Sequence, residues 1–228
     1  GNIEQYRGVL VFAEQDEGEI KECTFELLGE GRRLADKLGE ELGAILVGFR
    51  IEPLAESLFG YGSDKVYLVD DSSLEHYQTE AYAATLTAAI TKYKPSIMLF
   101  GATGVGLDLA PRIAARIQTG LTAHASAIDI EEGSGVLLQT CPSLAGHIMA
   151  TIKCPRHRPQ MCTVRPRIMS KPTFNPTLRA KVVRFRMRVN PKNMRTRVLE
   201  VIKGTEQGSE LEQAEIVVAG GRGRISFW

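Results

Sequence analysis

The sequence predicts an α/β fold built on a doubly wound, mostly parallel, Rossmann-like sheet with antiparallel additions on its C-terminal side. Short apolar runs, which we interpret as strands, alternate with longer segments whose apolar residues recur at helical spacing. The strands are apolar on both faces, which is typical of a parallel sheet covered by helices on both sides. Right-handed crossovers between such strands produce the doubly wound arrangement.

The first 120 residues contain the alternating elements. The predicted strands are VLVFAE (9–14), AILVGF (44–49), KVYLVD (65–70) and SIMLFGAT (96–103). The predicted helices cover 24–42, 53–59, 74–93 and 107–118. Thr24 is a suitable N-cap for the first helix, Gly43 a suitable stop, and Pro95 ends the third helix.

After residue 120 the strands are shorter and separated by glycine and proline. Residues 124–131, 135–141, 147–154 and 160–166 are expected to be antiparallel strands that complete the sheet edge. In AKVVRFRMRV (180–189) apolar residues alternate with arginines, which predicts a half-buried strand with an arginine-rich face. A last strand is expected at AEIVVAG (214–220).

The composition is that of an ordinary globular protein, with 43% hydrophobic and 24% charged residues. No apolar stretch approaches the ~20 residues that span a bilayer, and the N-terminus lacks the pattern of a signal peptide, so we expect a cytoplasmic protein without a membrane span. The four cysteines are expected to be reduced. Cys154, His157 and Cys162 lack the paired CxxC spacing of structural zinc sites, so no metal is expected.

The net charge of +1 hides a strong asymmetry along the chain. Residues 1–100 contain 18 acidic and 9 basic residues, whereas 101–228 contain 9 acidic and 19 basic residues. The segment 151–200 alone has 14 Lys or Arg and a single acid, Glu200. Such a block either faces an anionic ligand or acidic partner, or is a solvated basic surface.

The glycine loop after the fourth strand has two interpretations. Gly101, Gly104 and Gly106 follow the pattern G-x-x-G-x-G, which differs from the dinucleotide fingerprint. A phosphate at the following helix N-terminus is one interpretation. A tight strand-to-helix turn that needs the positive φ of glycine is the other, and the spacing favours it. No nucleophile elbow or triad pattern surrounds the histidines and serines, so no catalytic residues are predicted.

Two further segments suit anions. RHRPQMCTVRPR (156–167) holds four arginines around prolines, and rigid guanidinium groups either bind phosphate, carboxylate or a flavin ring, or donate to loop carbonyls. Both interpretations remain open. VVAGGRG (217–223) is a strand followed by a glycine turn, and Gly220, Gly221, Arg222 and Gly223 form a candidate pyrophosphate seat.

Several of these segments, in this order, resemble the electron-transfer flavoprotein α subunit. They are LVFAE, YGSDKVYLVD, LFGATGVGLDLAPRIAARIQTGLTA, HIMATI, TVRP and VVAGGRG, which together cover residues ~7–223. The HRPQM form of the basic segment resembles the anaerobic branch, whose members can bifurcate electrons. The resemblance implies a Rossmann-like N-terminal domain of the adenine-nucleotide alpha-hydrolase-like class.

The resemblance also implies a function. The chain would be an electron carrier without catalytic turnover of its own, paired in a heterodimer with a β subunit and serving an acyl-CoA or 2-hydroxyacid dehydrogenase. FAD would bind a C-terminal domain of the α subunit, where Arg222 matches a family arginine. The expected organisation is an N-terminal domain (1–190), a linker (191–213) and the start of the FAD domain (214–228). We therefore expect this 228-residue chain by itself to bind little or no FAD.

In the bifurcating branch, a second FAD lies in the β subunit, and an arginine of the α basic segment approaches its ring. Arg158 or Arg165 is the candidate here. The competing hypothesis is a basic α/β module that binds nucleic acid or regulates. Because aromatic residues make up only 7% of the chain and are not interleaved with the basic ones, the sequence disfavours nucleic-acid binding.

Overall fold

A computed structural model describes residues 3–143, 148–187, 194–196, 198–202 and 216–218. The chain divides into a large unit, Gly1–Arg197, and a small unit, Val198–Trp228. In the small unit, the described residues form neither helix nor strand. The strand predicted at 214–220 is therefore absent at 216–218, and its other residues lie outside the described part. The domain bounds given above stay a prediction.

The large unit contains four α-helices and twelve strands in its described part. The helices are α1 (Glu22–Leu38), α2 (Ala55–Phe59), α3 (Thr79–Tyr93) and α4 (Gly104–Ile117). The strands are β1 (Val9–Ala13), β2 (Gln15–Asp16), β3 (Glu19–Ile20), β4 (Leu42–Gly48), β5 (Lys65–Asp70), β6 (Ile97–Gly101), β7 (Leu121–Ala125), β8 (Ala127–Ile130), β9 (Leu137–Ser143), β10 (Ile148–Ile152), β11 (Gln160–Val164) and β12 (Lys181–Arg184). Short 3-10 helices occupy Ile3–Gln5, Glu52–Leu54 and Ser72–Leu74.

The main sheet has seven strands in the order β12-β5-β4-β1-β6-β11-β7, and every neighbouring pair is parallel. Its central strands are buried on both faces, because α1 packs on one side and α3 and α4 pack on the other. The doubly wound, mostly parallel sheet predicted from the sequence is confirmed. The antiparallel additions are two separate small sheets, β10-β9-β8 and β2-β3.

The structure corrects the expected role of residues 160–166. This segment does not lie at an antiparallel edge: β11 is inserted between β6 and β7 and runs parallel to both. All five of its residues are 2% exposed or less, which is typical of an internal parallel strand. The segment predicted as one strand at 124–131 is also divided, since β7 joins the main sheet whereas β8 joins the small one.

The C-terminal end of α1 and the N-terminal end of α4 differ from the prediction, and the capping residue explains each observed position. Helix α1 ends at Leu38, because Gly39 adopts a left-handed conformation (φ 64°) as its C-cap, and Leu42 then starts β4. Helix α4 begins at Gly104, three residues earlier than predicted, because Thr103 caps it. In the arginine-rich strand, Val183 and Phe185 are half-buried while Arg184 and Arg186 are exposed, as the alternation predicted.

Candidate functional site at the carboxyl edge of the sheet

The carboxyl ends of β1, β6 and β11 lie side by side, and we call this region the carboxyl edge. The chain leaves β1 first towards β4 and β5, and later returns to β6 on the other side, so the sheet changes direction between β1 and β6. Doubly wound sheets bind ligands outside the carboxyl ends of their strands at such a switch point. The residues that follow β1, β6 and β11 are therefore the candidates for function.

The glycine loop at this switch point is a tight turn from β6 into α4. The backbone N–H of Gly106 donates to the Thr103 hydroxyl at 3.0 Å, which caps the helix. A Cβ on Gly106 would lie 1.8 Å from the carbonyl oxygen of Gly101, so only glycine fits there. The tight-turn interpretation is confirmed, but its expected reason is wrong. Gly101, Gly104 and Gly106 do not have positive φ; close backbone approach explains Gly106.

The buried carboxylate of Glu14 lies at the switch point, beside this turn. Glu14 follows β1, is 6% exposed, and accepts a hydrogen bond from the Thr103 hydroxyl at 2.6 Å. Burial raises the pKa of Glu14, and the Thr103 bond partly offsets that effect. Because the chain's own carboxylate already binds the residue that caps α4, the structure does not support the alternative of a bound phosphate at this loop.

The stability of the chain should depend on the protonation of Glu14. Since its folded pKa is raised, the folded state binds the proton more tightly, and stability should increase as pH falls from neutral towards its ordinary pKa near 4.5. Glu14→Gln should reduce this dependence, because an amide side chain carries no charge. In Glu14→Gln, a smaller dependence of stability on pH with the same sign should remain, because burial also raises the pKa of Glu26. Urea unfolding of both proteins between pH 5 and 7.5 tests this; equal slopes would contradict it.

The two buried cysteines, Cys23 and Cys162, are unreactive thiols at neutral pH. Burial raises the pKa of Cys162 to about 12, and burial together with the nearby Glu14 and Glu26 does the same for Cys23. Both thiols therefore stay protonated at neutral pH. Cys162 packs in the apolar core. Among the described residues, no group of three or more His, Cys, Asp or Glu side chains is arranged to hold a metal ion.

Arg158 lies at the opposite, amino edge of the sheet, before β11. Its Nη1 atom donates to the carbonyl oxygens of Cys154 (3.2 Å), Pro155 (3.4 Å) and His157 (2.9 Å). Burial lowers the pKa of its guanidinium. The interpretation of an arginine that satisfies loop carbonyls therefore holds for Arg158.

Arg165 lies at the carboxyl edge, directly after β11. Its backbone N–H donates to the carbonyl of Ala125 at 3.1 Å, so its backbone is fixed to the end of β7. Its side chain is exposed, and no ion pair or side-chain hydrogen bond joins it to the described residues. The structure thus separates the two candidate arginines by the length of β11 and leaves the guanidinium of Arg165 accessible at the carboxyl edge.

Part of the basic block is paired with the acidic N-terminal half. Lys171 binds Glu22 at 2.6 Å, Arg184 binds Glu52, and Arg195 approaches Glu80 at 3.8 Å. These contacts explain part of the charge asymmetry as pairing within the chain. Surface pairs of this kind contribute little stability individually.

The sequence alone did not identify Glu14 and Glu26 as residues of the candidate site. Glu14 had a usable signal, since it is an acid placed directly after an apolar strand. Glu26, which binds the loop after Arg165, lies among the apolar positions of α1 and gave no pattern. The proposed FAD contacts Gly220, Gly221, Arg222 and Gly223 lie outside the described residues.

In the described part, no helix combines the length and apolarity needed to cross a membrane. Comparison with known proteins matches residues 9–189 to a family model described as the electron transfer flavoprotein domain. The electron transfer flavoprotein subunit alpha of Thermoanaerobacterium thermosaccharolyticum is 45% identical over 221 residues, which is 97% of this chain and 67% of the relative.

Two other relatives have names that specify a redox system. The acryloyl-CoA reductase electron transfer subunit beta of Anaerotignum propionicum is 39% identical, with 97% of this chain and 67% of the relative covered. The lactate dehydrogenase (NAD(+),ferredoxin) subunit LctC of Acetobacterium woodii is 41% identical, with 96% and 52% covered. The chain therefore spans between about half and two thirds of the length of these relatives.

Proposed function

This chain belongs to the electron-transfer flavoprotein family as an α subunit, and from this premise we propose that it pairs with a β subunit in a heterodimer that carries electrons through FAD. The heterodimer transfers them between an acyl-CoA or 2-hydroxyacid dehydrogenase and other redox partners. The α subunit has no catalytic turnover of its own, and the complex works in the cytoplasm.

The names of the relatives support the choice of dehydrogenase. One relative serves an acryloyl-CoA reductase, and another is a subunit of a lactate dehydrogenase that uses both NAD and ferredoxin. An enzyme name with two redox partners, NAD(+) and ferredoxin, is consistent with electron bifurcation, and we extend that activity to this chain as part of the proposal.

Within the described part of the chain, the proposal depends on one observation: the side chain of Arg165 is exposed at the carboxyl edge. Bound FAD supplies the electron-accepting and electron-donating chemistry. Arg165 offers an accessible positive charge at the carboxyl edge, suited to stabilise negative charge on a flavin held by the β subunit. Arg158 is already bonded to loop carbonyls at the other edge, so Arg165 is the better candidate. Arg222 and its neighbouring glycines are proposed to contact the FAD of the α subunit.

The remaining groups at the carboxyl edge support a carrier rather than an enzyme. The Cys23 thiol stays protonated at neutral pH and is not available as a nucleophile, and the buried Glu14 carboxylate accepts a hydrogen bond from the residue that caps α4. The nucleic-acid alternative is disfavoured further, because Lys171, Arg184 and Arg195 pair with acids of the same chain.

Flavin counting in the intact complex tests the proposal. We expect the intact α subunit, co-expressed with its β subunit, to purify as a 1:1 heterodimer with one FAD in each subunit and a flavin absorbance spectrum. A salt-dependent shift of DNA should be absent. A colourless complex, or an α subunit that does not associate with β, would contradict the proposed function.

A further inference from the structure

The segment that connects β11 to β12, residues 165–180, passes over α1, and we call it the strap. Its first turn contains Arg165, Pro166 and Arg167. Pro166 restricts the backbone at the start of the turn, and Arg167 has a φ of 63°, in the left-handed region that residues other than glycine disfavour. A residue in this conformation persists only where surrounding contacts hold it.

Glu26 of α1 supplies that contact. Its carboxylate accepts the backbone N–H of Arg167 with both oxygens, at 2.9 and 3.2 Å. Glu26 is only 6% exposed, and a carboxylate buried in this way must be satisfied by donors nearby. Among the described residues, its hydrogen bonds go to the backbone of the strap, so Glu26 and the turn stabilise each other.

The rest of the strap is held by different contacts. Lys171 pairs with Glu22, and its Nζ lies 4.8 Å from the centre of the Phe25 ring. Phe174 packs on Tyr61 with ring centres 5.4 Å apart, and the same ring leaves no space for a side chain at Gly60. Losing Glu26 would therefore loosen the turn on the C-terminal side of Arg165, whose own N–H stays bonded to Ala125, while these other contacts keep the strap in place.

From this arrangement we propose that Glu26 is a positioning residue that holds Arg165 in place for the flavin of the β subunit. Glu26 acts through the backbone of the turn and does not itself touch the cofactor. The inference rests on the proposed function, because it requires Arg165 to face that flavin.

The sign of a potential change separates positioning from simple electrostatics. Removing the negative charge of Glu26 would, by Coulomb's law alone, raise the reduction potential of a nearby flavin. Releasing the Arg165 turn would lower it, because the stabilising cation moves away. We expect Glu26→Gln to lower the potential of the β-subunit flavin, in the same direction as Arg165→Ala and by a smaller amount. The substituted amide keeps the size of the side chain but accepts with one oxygen only.

Two variants serve as matched controls. Glu22→Gln removes the same charge one turn earlier on α1 but leaves the first turn of the strap bonded, so the potential should stay unchanged or rise slightly. Arg167→Gly keeps the N–H that donates to Glu26 and relieves the left-handed strain, so hydrogen exchange in the first turn should not become faster, and any change in potential reflects only the lost charge of Arg167. In the double variant Arg165→Ala/Glu26→Gln the potential should be no lower than that of Arg165→Ala alone, because without Arg165 only the lost negative charge of Glu26 acts on the flavin.

The experiment is a spectroelectrochemical titration of the intact heterodimer for each variant, with hydrogen–deuterium exchange measured over residues 165–170 of the same samples. Lower potential and faster exchange in Glu26→Gln support the inference. If Arg165→Ala lowers the potential but Glu26→Gln raises it or leaves it unchanged, the positioning role is wrong and the proposed function stands. If Arg165→Ala itself has no effect, the placement of Arg165 at the flavin fails, and the inference fails with it.

Discussion

Replacement of Gly106 by alanine is expected to lower the free energy of unfolding by about 3 kcal/mol, the upper end of the typical cost of overpacking, since the site cannot relax. The added Cβ would lie 1.8 Å from the carbonyl oxygen of Gly101, and the neighbouring atom is backbone, which cannot rotate away. The turn from β6 to α4 would have to open. Opening it would also break the Thr103 cap and leave the buried Glu14 without its hydroxyl donor.

Gly104 provides the matched control two residues earlier in the same turn. A Cβ at Gly104 meets no atom within 4 Å, and its φ is not positive. Gly104→Ala should therefore be neutral or slightly stabilising, because alanine favours the helix that begins there. Urea unfolding of the two variants beside the unmodified chain measures the difference. Equal stability of both variants would mean that the turn tolerates a side chain at Gly106 and that close approach does not explain the glycine.

The strands of the main sheet in the first hundred residues were predictable because each one is a short apolar run. Residues 65–70 were predicted to the residue, and β1, β4 and β6 to within two positions, whereas the two-residue strands β2 and β3 have no apolar run and were not predicted. The place of β11 in the sheet was not predictable, since an apolar run shows that a strand is buried but not which strands it pairs with. Helix ends followed caps, as at Thr103 and Gly39, whose backbone conformations cannot be recognised from periodicity alone.

The candidate site was only partly predictable for a related reason. The sequence identified the arginines around β11, but it left Arg158 and Arg165 equivalent. Strand direction separates them: a five-residue parallel strand is about 15 Å long, and its two ends lie at opposite edges of the sheet. The bond between Glu26 and the backbone of Arg167 joins residues 141 positions apart, and no local pattern in the sequence marks such a contact.

In the intact heterodimer, Arg165→Ala is expected to lower the reduction potential of the β-subunit flavin by about 30 mV or more. For a two-electron couple, ~30 mV corresponds to ~1.4 kcal/mol, and a charge near the ring at an effective dielectric constant of ~20 can supply that much. Arg158→Ala should leave this potential unchanged, because Arg158 lies at the amino edge and donates to loop carbonyls. Arg165→Lys should restore part of the loss, since it returns the charge without the planar guanidinium.

The central claim is that the carboxyl edge of this chain presents a cation to a flavin of its partner subunit. A spectroelectrochemical titration of the heterodimer, carried out in parallel on the unmodified complex, Arg165→Ala and Arg158→Ala, tests it most directly. The account predicts a lower β-subunit flavin potential in Arg165→Ala alone, with the potential of the α-subunit FAD nearly unchanged in all three. A β-subunit flavin potential that shifts with Arg158→Ala, or that does not shift with Arg165→Ala, would contradict it.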